Sequence, residues 1–280
     1  MNNRQMRNEY WNGKEMRAIV ANQHAIQMQV QFGISIEESA AKSSVHTEHE
    51  IVFRTRNSAP EHKPPVVLVS ADTVTALFSI KDEGRTAVLN FASYKNPGGK
   101  FLEGSAAQEE SLCHASTLYN VLRSPVFNEY YAYNRTHPNN GLYLNRSIYS
   151  PDIIFFGGDG NGPYLDQKSA DVITCAAPNV RQFCRTADCF NPDNRNIVDE
   201  TIYERCRYVL TIAEHHGVDN LILGAFGCGV FGCDPRVVSR MFKKAIRDCP
   251  VNFKQIVFAI PNNGHSSDNF YEFAKTFDVL

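Results

Sequence analysis

The sequence predicts an α/β fold: a mixed, mostly parallel sheet sandwiched between helices, preceded by an N-terminal helical arm. Three observations carry that reading. From Val66 onward, short apolar runs alternate with stretches of i, i+3, i+4 apolar spacing. The runs are continuously apolar, the pattern of strands buried on both faces of a parallel sheet. Before Val66 such runs are missing, and the helical spacing is confined to residues 3–32.

Taken in order, residues 3–32 place Met6, Tyr10, Met16, Ile19, Val20, Ile26, Met28 and Val30 at helical intervals and end at Gly33, which predicts a helical arm. Residues 34–64 are polar and irregular and close with NSAPEHKPP, where the prolines exclude helix and predict a connection. The expected organisation is therefore an arm with its connection over 1–64 and one integrated body over 65–280. Strands are expected at VVLVS (66–70), TAVLNFA (86–92), IIFF (153–156), VITCAA (172–177), LILGAF (221–226) and QIVFAI (255–260). Helices are expected in DTVTALFSI, AQEESLCHASTLYNVL, NIVDETIYERCRYVLTIAEHHG, PRVVSRMFKKAIRD and SSDNFYEFAKTF. The stretch YNRTHPNNGLYLNRSIYS (133–150) reads as a connection at the edge of any pocket.

Composition narrows the function classes. With 28 basic and 30 acidic residues among 280, the formal charge of −2 gives no whole-molecule reason to expect a nucleic-acid partner. The polar start MNNRQMRNEYWNGKEM lacks a secretory apolar core, and no run of about 18 apolar residues occurs, so a soluble, cytoplasmic protein without a membrane partner is expected. The eight cysteines are scattered, and Cys184/Cys189 and Cys228/Cys233 form no CxxC pair, so reduced, buried thiols are expected.

In open α/β sheets ligands bind beyond the carboxyl ends of the strands, so the loops there carry the search for chemistry. Two are glycine-rich: SYKNPGGKFLEG after TAVLNFA, and GCGVFG after LILGAF. Glycine lets backbone N–H groups approach an anion, and two such loops on one sheet edge could hold a diphosphate between them. The second spans Gly227, Gly229 and Gly232 as a literal GxGxxG, but no acid stands at the tip of the following strand, which disfavours a dinucleotide fingerprint. A plain strand-to-helix turn, with Asp234 as N-cap and Pro235 at the first helical position, stays open.

Gln108, Glu109 and Glu110 fall in the first turn of a helix expected from Ala106. Acids complement a helix N-terminus, which accounts for one carboxylate. Two adjacent ones raise a pKa between them, and such a pair near a diphosphate can keep a proton for general acid catalysis. On spacing alone a solvated helix start remains the alternative.

Together, LNFASYKNPGGKFLEGSAAQEESL, APN (177–179) and GAFGCGVFG resemble the signature of the microbial-type poly(ADP-ribose) glycohydrolases, a branch of the macrodomain fold. The resemblance implies a macrodomain-like body that cleaves ribose–ribose O-glycosidic bonds from chain ends and releases ADP-ribose. It implies that Glu110 protonates the departing ribose oxygen and then deprotonates water, that Glu109 holds ribose hydroxyls with Gln108 beside it, and that Asn90, Asn96, Gly98 and Gly99 wrap the terminal ribose and diphosphate. Gly227, Cys228, Gly229 and Val230 fall in the second diphosphate loop, and Phe231 matches the aromatic that presses on the ribose. The family triplet is usually three glycines, whereas the third position here is Lys100: a left-handed backbone there would be strained and crowd the ligand, whereas with an ordinary backbone, the expected case, its side chain points outward and can pair with a phosphate. The implied partners are poly(ADP-ribose) or ADP-ribosylated protein, with no cofactor and no metal; no HExxH occurs, and His114, His215 and His216 read as packing or surface residues. Two other readings stay open: a module that binds ADP-ribose without cutting it, and a hydrolase of mono-ADP-ribosylated protein.

Overall fold

A computed structural model of the chain describes residues 13–47, 63–157, 166–263 and 267–279. The elements in order are α1 (Lys14–Lys42), β1 (Ser44–His46), β2 (Val66–Val69), α2 (Thr73–Ser79), β3 (Thr86–Phe91), α3 (Gln108–His114), α4 (Leu118–Leu122) and α5 (Asn128–Thr136). After them come β4 (Ser147–Gly157), β5 (Asp166–Cys175), α6 (Val180–Phe183), α7 (Pro192–His215), β6 (Asn220–Leu223), α8 (Pro235–Asp248), β7 (Gln255–Ala259) and α9 (Ser267–Phe277).

The seven strands form one sheet in the order β1-β4-β5-β3-β6-β7-β2. β5, β3, β6, β7 and β2 pair in parallel, while β4 runs against both β1 and β5. All six expected strands are present. Central β3 explains why: Ala87 and Leu89 enter the core under α7, α8 and α9, while Val88 enters the core under α1 and α3. A strand with helices on both faces has no polar face to show.

Several expectations need correction. The arm helix does not end at Gly33. It kinks at Phe32 (φ −126°, ψ 19°) and continues to Lys42, because Ile36, Ser39 and Ala40 are buried and Phe32 packs on Phe156 with ring centroids 5.3 Å apart. The chain then adds β1 to the sheet edge, so residues 34–46 are not an irregular connection. Residues 3–12 of the expected arm and most of NSAPEHKPP lie outside the described residues.

The expected helix over 107–122 is two helices. At Ala115–Thr117 the backbone leaves helical geometry to pair with β4: Phe156 N–H donates to Ala115 O (2.8 Å) and Thr117 N–H to Ile154 O (3.0 Å). Strand pairing overrides propensity there. The stretch 133–150 is likewise more than a connection, since it ends α5 and begins the eleven-residue β4, of which IIFF is only the last part. Pro151 and Asp152, with φ +59° at Asp152, bulge β4 and hide its continuity from the sequence pattern.

The thiol expectation also changes. Cys184 and Cys189 are joined in a disulfide with Cα atoms 5.4 Å apart, closing the turn between α6 and α7. Cys113, Cys175, Cys206, Cys233 and Cys249 are buried thiols and Cys228 is half-buried. Among the described residues no helix is long and apolar enough to cross a membrane.

Candidate active site

β3 and β6 are neighbours in register, with Val88 opposite Ile222, so the loops that leave their carboxyl ends emerge side by side. Phe91 and Phe226 mark the contact, with ring centroids 5.5 Å apart. Farther out, Tyr94 of the first loop stacks on Tyr143 (4.2 Å), which meets Phe231 of the second loop edge-on (6.0 Å). The two glycine-rich loops therefore share one edge of the sheet.

The first loop closes onto α3. Gly98 (φ +65°) and Gly99 (φ +60°) take left-handed conformations that favour glycine. A Cβ at Gly99 would stand 2.6 Å from Glu110 Oε1 and 2.9 Å from Glu109 Oε2. Both carboxyls thus flank one spot above a backbone that only glycine allows.

Glu109 and Glu110 are 3% and 6% exposed, which is not the solvated helix start that spacing left open. Glu109 accepts from Ser93 N–H (2.6 Å) and from Asn90 Nδ2 (3.2 Å). Burial pushes its carboxyl up to about 8, with a smaller push from the Glu110 charge, against the hydrogen bonds from Ser93, Asn90 and Gly98 that favour the ionised form. Glu110 accepts from Lys100 N–H (2.9 Å) and from Ala107 N–H (3.1 Å). The second bond is half a capping box; Ala107 has no side-chain oxygen to return it. Two backbone donors therefore fix Glu110 between loop and helix.

Asn90 is fully buried at the end of β3, its Nδ2 shared between Glu109 and Thr174 Oγ1 (3.3 Å) and its Oδ1 without a protein partner. Gln108 faces the strand: Oε1 accepts from Phe91 N–H (2.8 Å), and Nε2 donates to Leu89 O (2.9 Å) and Thr73 Oγ1 (3.3 Å). Its amide ties the first turn of α3 to the tip of β3. Asn96 is exposed, and its carbonyl accepts from Gly99 N–H (3.1 Å). Lys100 has an ordinary backbone (φ −114°) and an outward side chain, but the ammonium lies 3.5 Å from Glu103. Its contribution at the acids is the N–H given to Glu110.

In the second loop Gly227 has φ +76°, and a Cβ there would strike Ala177 and Cys233, both at 2.7 Å. Gly229 opens onto free space and Val230 is 69% exposed, while the Cys228 thiol is half-buried and pushed well up by burial. Arg181 of α6 holds the loop from behind, its N–H donating to Phe231 O (3.0 Å) and its side chain lying against Gly232. A cavity of about 410 Å³ on the far side, lined by Cys189, Arg195, Asp199, Asp234 and Arg236, contains neither acid.

Sequence reasoning missed Ser93, Thr174, Tyr94, Tyr143 and Thr73. Tyr143 sits at φ +59° directly after Leu142, whose carbonyl accepts from buried Arg205 (3.3 Å), as does that of Ala176. No local pattern marks such a residue; the position of Thr73, first in α2 after Asp72 caps it, was a signal that went unused.

The family model for the catalytic domain of microbial-type PARG matches residues 14–157, and a solved structure of poly(ADP-ribose) glycohydrolase from Deinococcus radiodurans in complex with ADP-ribose is 30% identical. The chain belongs to the microbial-type PARG family. That Deinococcus structure aligns over 87% of this chain and 97% of its own, with a TM-score of 0.76. The Thermomonospora curvata poly(ADP-ribose) glycohydrolase is similar in fold, at 24% identity over 94% of this chain and 99% of its own, TM-score 0.79. The same enzyme bound to the inhibitor ADP-HPD aligns at 26% identity, over 93% of this chain and 99% of its own, again with a TM-score of 0.79. No curated protein matches. Within this chain the matched segment runs from α1 to the end of β4 and includes both acids and the first glycine loop.

Proposed function

We propose that this chain is a glycoside hydrolase that cleaves the ribose–ribose O-glycosidic bond of poly(ADP-ribose) and releases ADP-ribose from chain ends. The observation that carries the reading is the buried pair Glu109 and Glu110, fixed by backbone donors of a glycine loop at a strand tip. A structural acid pair has no need of a glycine whose Cβ position both carboxyls border.

Cleavage of an acetal at the anomeric carbon passes through an oxocarbenium-like state. Glu110 gives its proton to the departing ribose oxygen as the C–O bond breaks, then takes a proton from the water that attacks the anomeric carbon. The carboxyl is regenerated, and each positioned proton transfer is worth roughly 10²–10⁴ in rate. Glu109, its carboxyl pushed up to about 8 by burial, can keep a proton at neutral pH and so both donate to and accept from ribose hydroxyls. Asn90 supports it, its free Oδ1 being one further acceptor for a hydroxyl. Asn96, Gly98, Gly99 and Lys100 on one side, and Gly227, Cys228, Gly229 and Val230 on the other, border the diphosphate, whose close approach the glycines allow, and Phe231 bears on the terminal ribose. Gln108 positions the helix that carries the acids. The body over 65–280 contains all of these residues, and α1 and β1, within the arm and connection over 1–64, brace it. ADP-ribosylated proteins carrying such chains are the implied partners.

Purified protein is to be incubated with labelled poly(ADP-ribose), with Glu110→Gln alongside. Free ADP-ribose from the earliest time points, lost at least a hundredfold in Glu110→Gln while ADP-ribose binding persists, is expected. Equal binding without release by either protein would select the non-catalytic reading instead, and oligomers as first products would replace the exo assignment.

A further inference from the structure

The backbone N–H groups that hold Glu110, those of Lys100 (2.9 Å) and Ala107 (3.1 Å), belong to one short segment of chain. How residues 101–106 fold therefore decides where both donors stand. Lys100 O accepts from Glu103 N–H (3.1 Å) and Ser105 N–H (3.2 Å), and Gly104 N–H donates to Phe101 O (3.0 Å), which closes a tight turn. Gly104, between the two donors, sits at φ +76°.

That turn is seated on the start of α1. A Cβ at Gly104 would overlap Lys14 O and stand 2.8 Å from Ala18 N, so the helix backbone runs against the turn at a distance that only glycine permits. Phe101 is buried in the same core layer as Ala21 and Ala25 of α1, its ring centroid 4.9 Å from that of Tyr119. Apolar contact of this kind is non-directional and leaves the turn free to slide.

Direction comes from Arg17, whose half-buried side chain donates from Nε to Gly104 O (2.8 Å). A hydrogen bond from a guanidinium is short, strong and geometrically demanding. Asn22 Nδ2 reaches Leu102 O at 3.3 Å, but it is exposed and bonds Ala18 O of its own helix at 2.8 Å. The buried residues that dock α1 on the body begin at Ala21, so the helix is seated by side chains other than Arg17. The bond from Arg17 is thus spent on the turn between the two donors of Glu110.

We propose that Arg17 is a positioning residue for Glu110: by holding Gly104 O it sets the 100–107 segment so that the N–H groups at both ends meet one carboxyl. The proposal rests on the reading of Glu110 as the group that transfers the proton. Arg17 acts through the backbone of the turn and not on the substrate. A displacement of about 1 Å at a catalytic group costs roughly a hundredfold in rate, so loosening the segment shows in turnover before it shows in binding.

The test compares the full-length parent with Arg17→Ala and Arg17→Lys by initial rates on labelled poly(ADP-ribose), calorimetric binding of ADP-ribose, and amide hydrogen exchange read by NMR. In Arg17→Ala, kcat should fall at least tenfold while KM and ADP-ribose affinity stay within twofold. The Lys100 and Ala107 amides should exchange at least tenfold faster, and those of β3 should stay as protected as in the parent. Arg17→Lys, which keeps a cationic donor, should recover most of both losses. Unchanged exchange at the two amides overturns the proposal, as does an unchanged kcat in an active enzyme. A loss shared equally by kcat, affinity and β3 protection also overturns it, because Arg17 would then only stabilise the fold. A parent that releases no ADP-ribose refutes the glycohydrolase reading instead, and the exchange comparison alone then decides whether Arg17 sets the two donors.

Discussion

Glu109 and Glu110 are adjacent in sequence but differ in what holds them, and pH separates them. The Glu109 carboxyl is pushed up to about 8 by burial. At acid pH both folded and unfolded chains hold its proton; between the ordinary carboxyl range and about 8 only the folded chain does, so the fold loses stability as pH rises through that window and then levels. Glu109→Gln removes this decline. Its melting temperature should therefore gain on the parent from about pH 5 to about pH 8, a trend that thermal melts across pH will show. The parent kcat/KM should fall above about pH 8 as Glu109 ionises, and the variant, though slower, should lose that limb. Gly99→Ala puts a methyl within 2.6 Å of Glu110 Oε1 at a left-handed φ, so turnover should drop by more than a hundredfold while the melting temperature falls by the equivalent of roughly 1–3 kcal/mol. At this scale the spacing drew attention to the acids and glycines but left a solvated helix start open, and only their burial in the structure separates the two. The side-chain direction of Gln108 and the partner of the outward Lys100 ammonium were not legible, because each is set by contacts, with β3 and with Glu103, that spacing does not encode.

The elements were legible where one period ran uninterrupted and obscure where the sheet edge imposed its own pairing. β3, β6 and β7 and the helices α7 and α8 followed their apolar patterns. The break between α3 and α4 did not, since it exists to pair Ala115 and Thr117 with β4. α6 is one short turn, yet it supports the second glycine loop through Arg181, and the Cys184–Cys189 disulfide closes the turn just after it. A short disulfide loop of this kind contributes about 2 kcal/mol by chain entropy. Reduction by a dithiol should lower the unfolding free energy by about that amount in urea titrations, and KM should rise more than kcat falls, because the element affected bears on binding. On the other face Met28 of α1 is fully buried against the α3–α5 layer, so Met28→Ala should cost about 2–5 kcal/mol in the same titration.

Over the whole molecule, the sequence pointed to an arm attached to a body, whereas α1 supplies core residues and β1 supplies a strand. The reason it read otherwise is that the large apolar residues that mark the helical spacing of α1, Met16, Ile19, Ile26 and Val30, are exposed, while its buried stripe is built from inconspicuous residues such as Ala21, His24 and Ala25 beside Met28. Removing residues 1–47 would expose that core layer and the edge of β4, and the remaining chain should lose cooperative unfolding in thermal melts; a truncated chain that melts like the parent would make the arm an accessory. Both layers converge on one result, the placement of two carboxyls over a glycine turn at the carboxyl edge of the sheet. The most direct test is a crystal of Glu110→Gln grown with ADP-ribose. The diphosphate is expected between the loops at 98–100 and 227–230, the ribose hydroxyls on Glu109, and the side chain at position 110 within about 3.5 Å of the oxygen on the anomeric carbon. A ribose turned away from α3, or a diphosphate seated elsewhere, would contradict that placement.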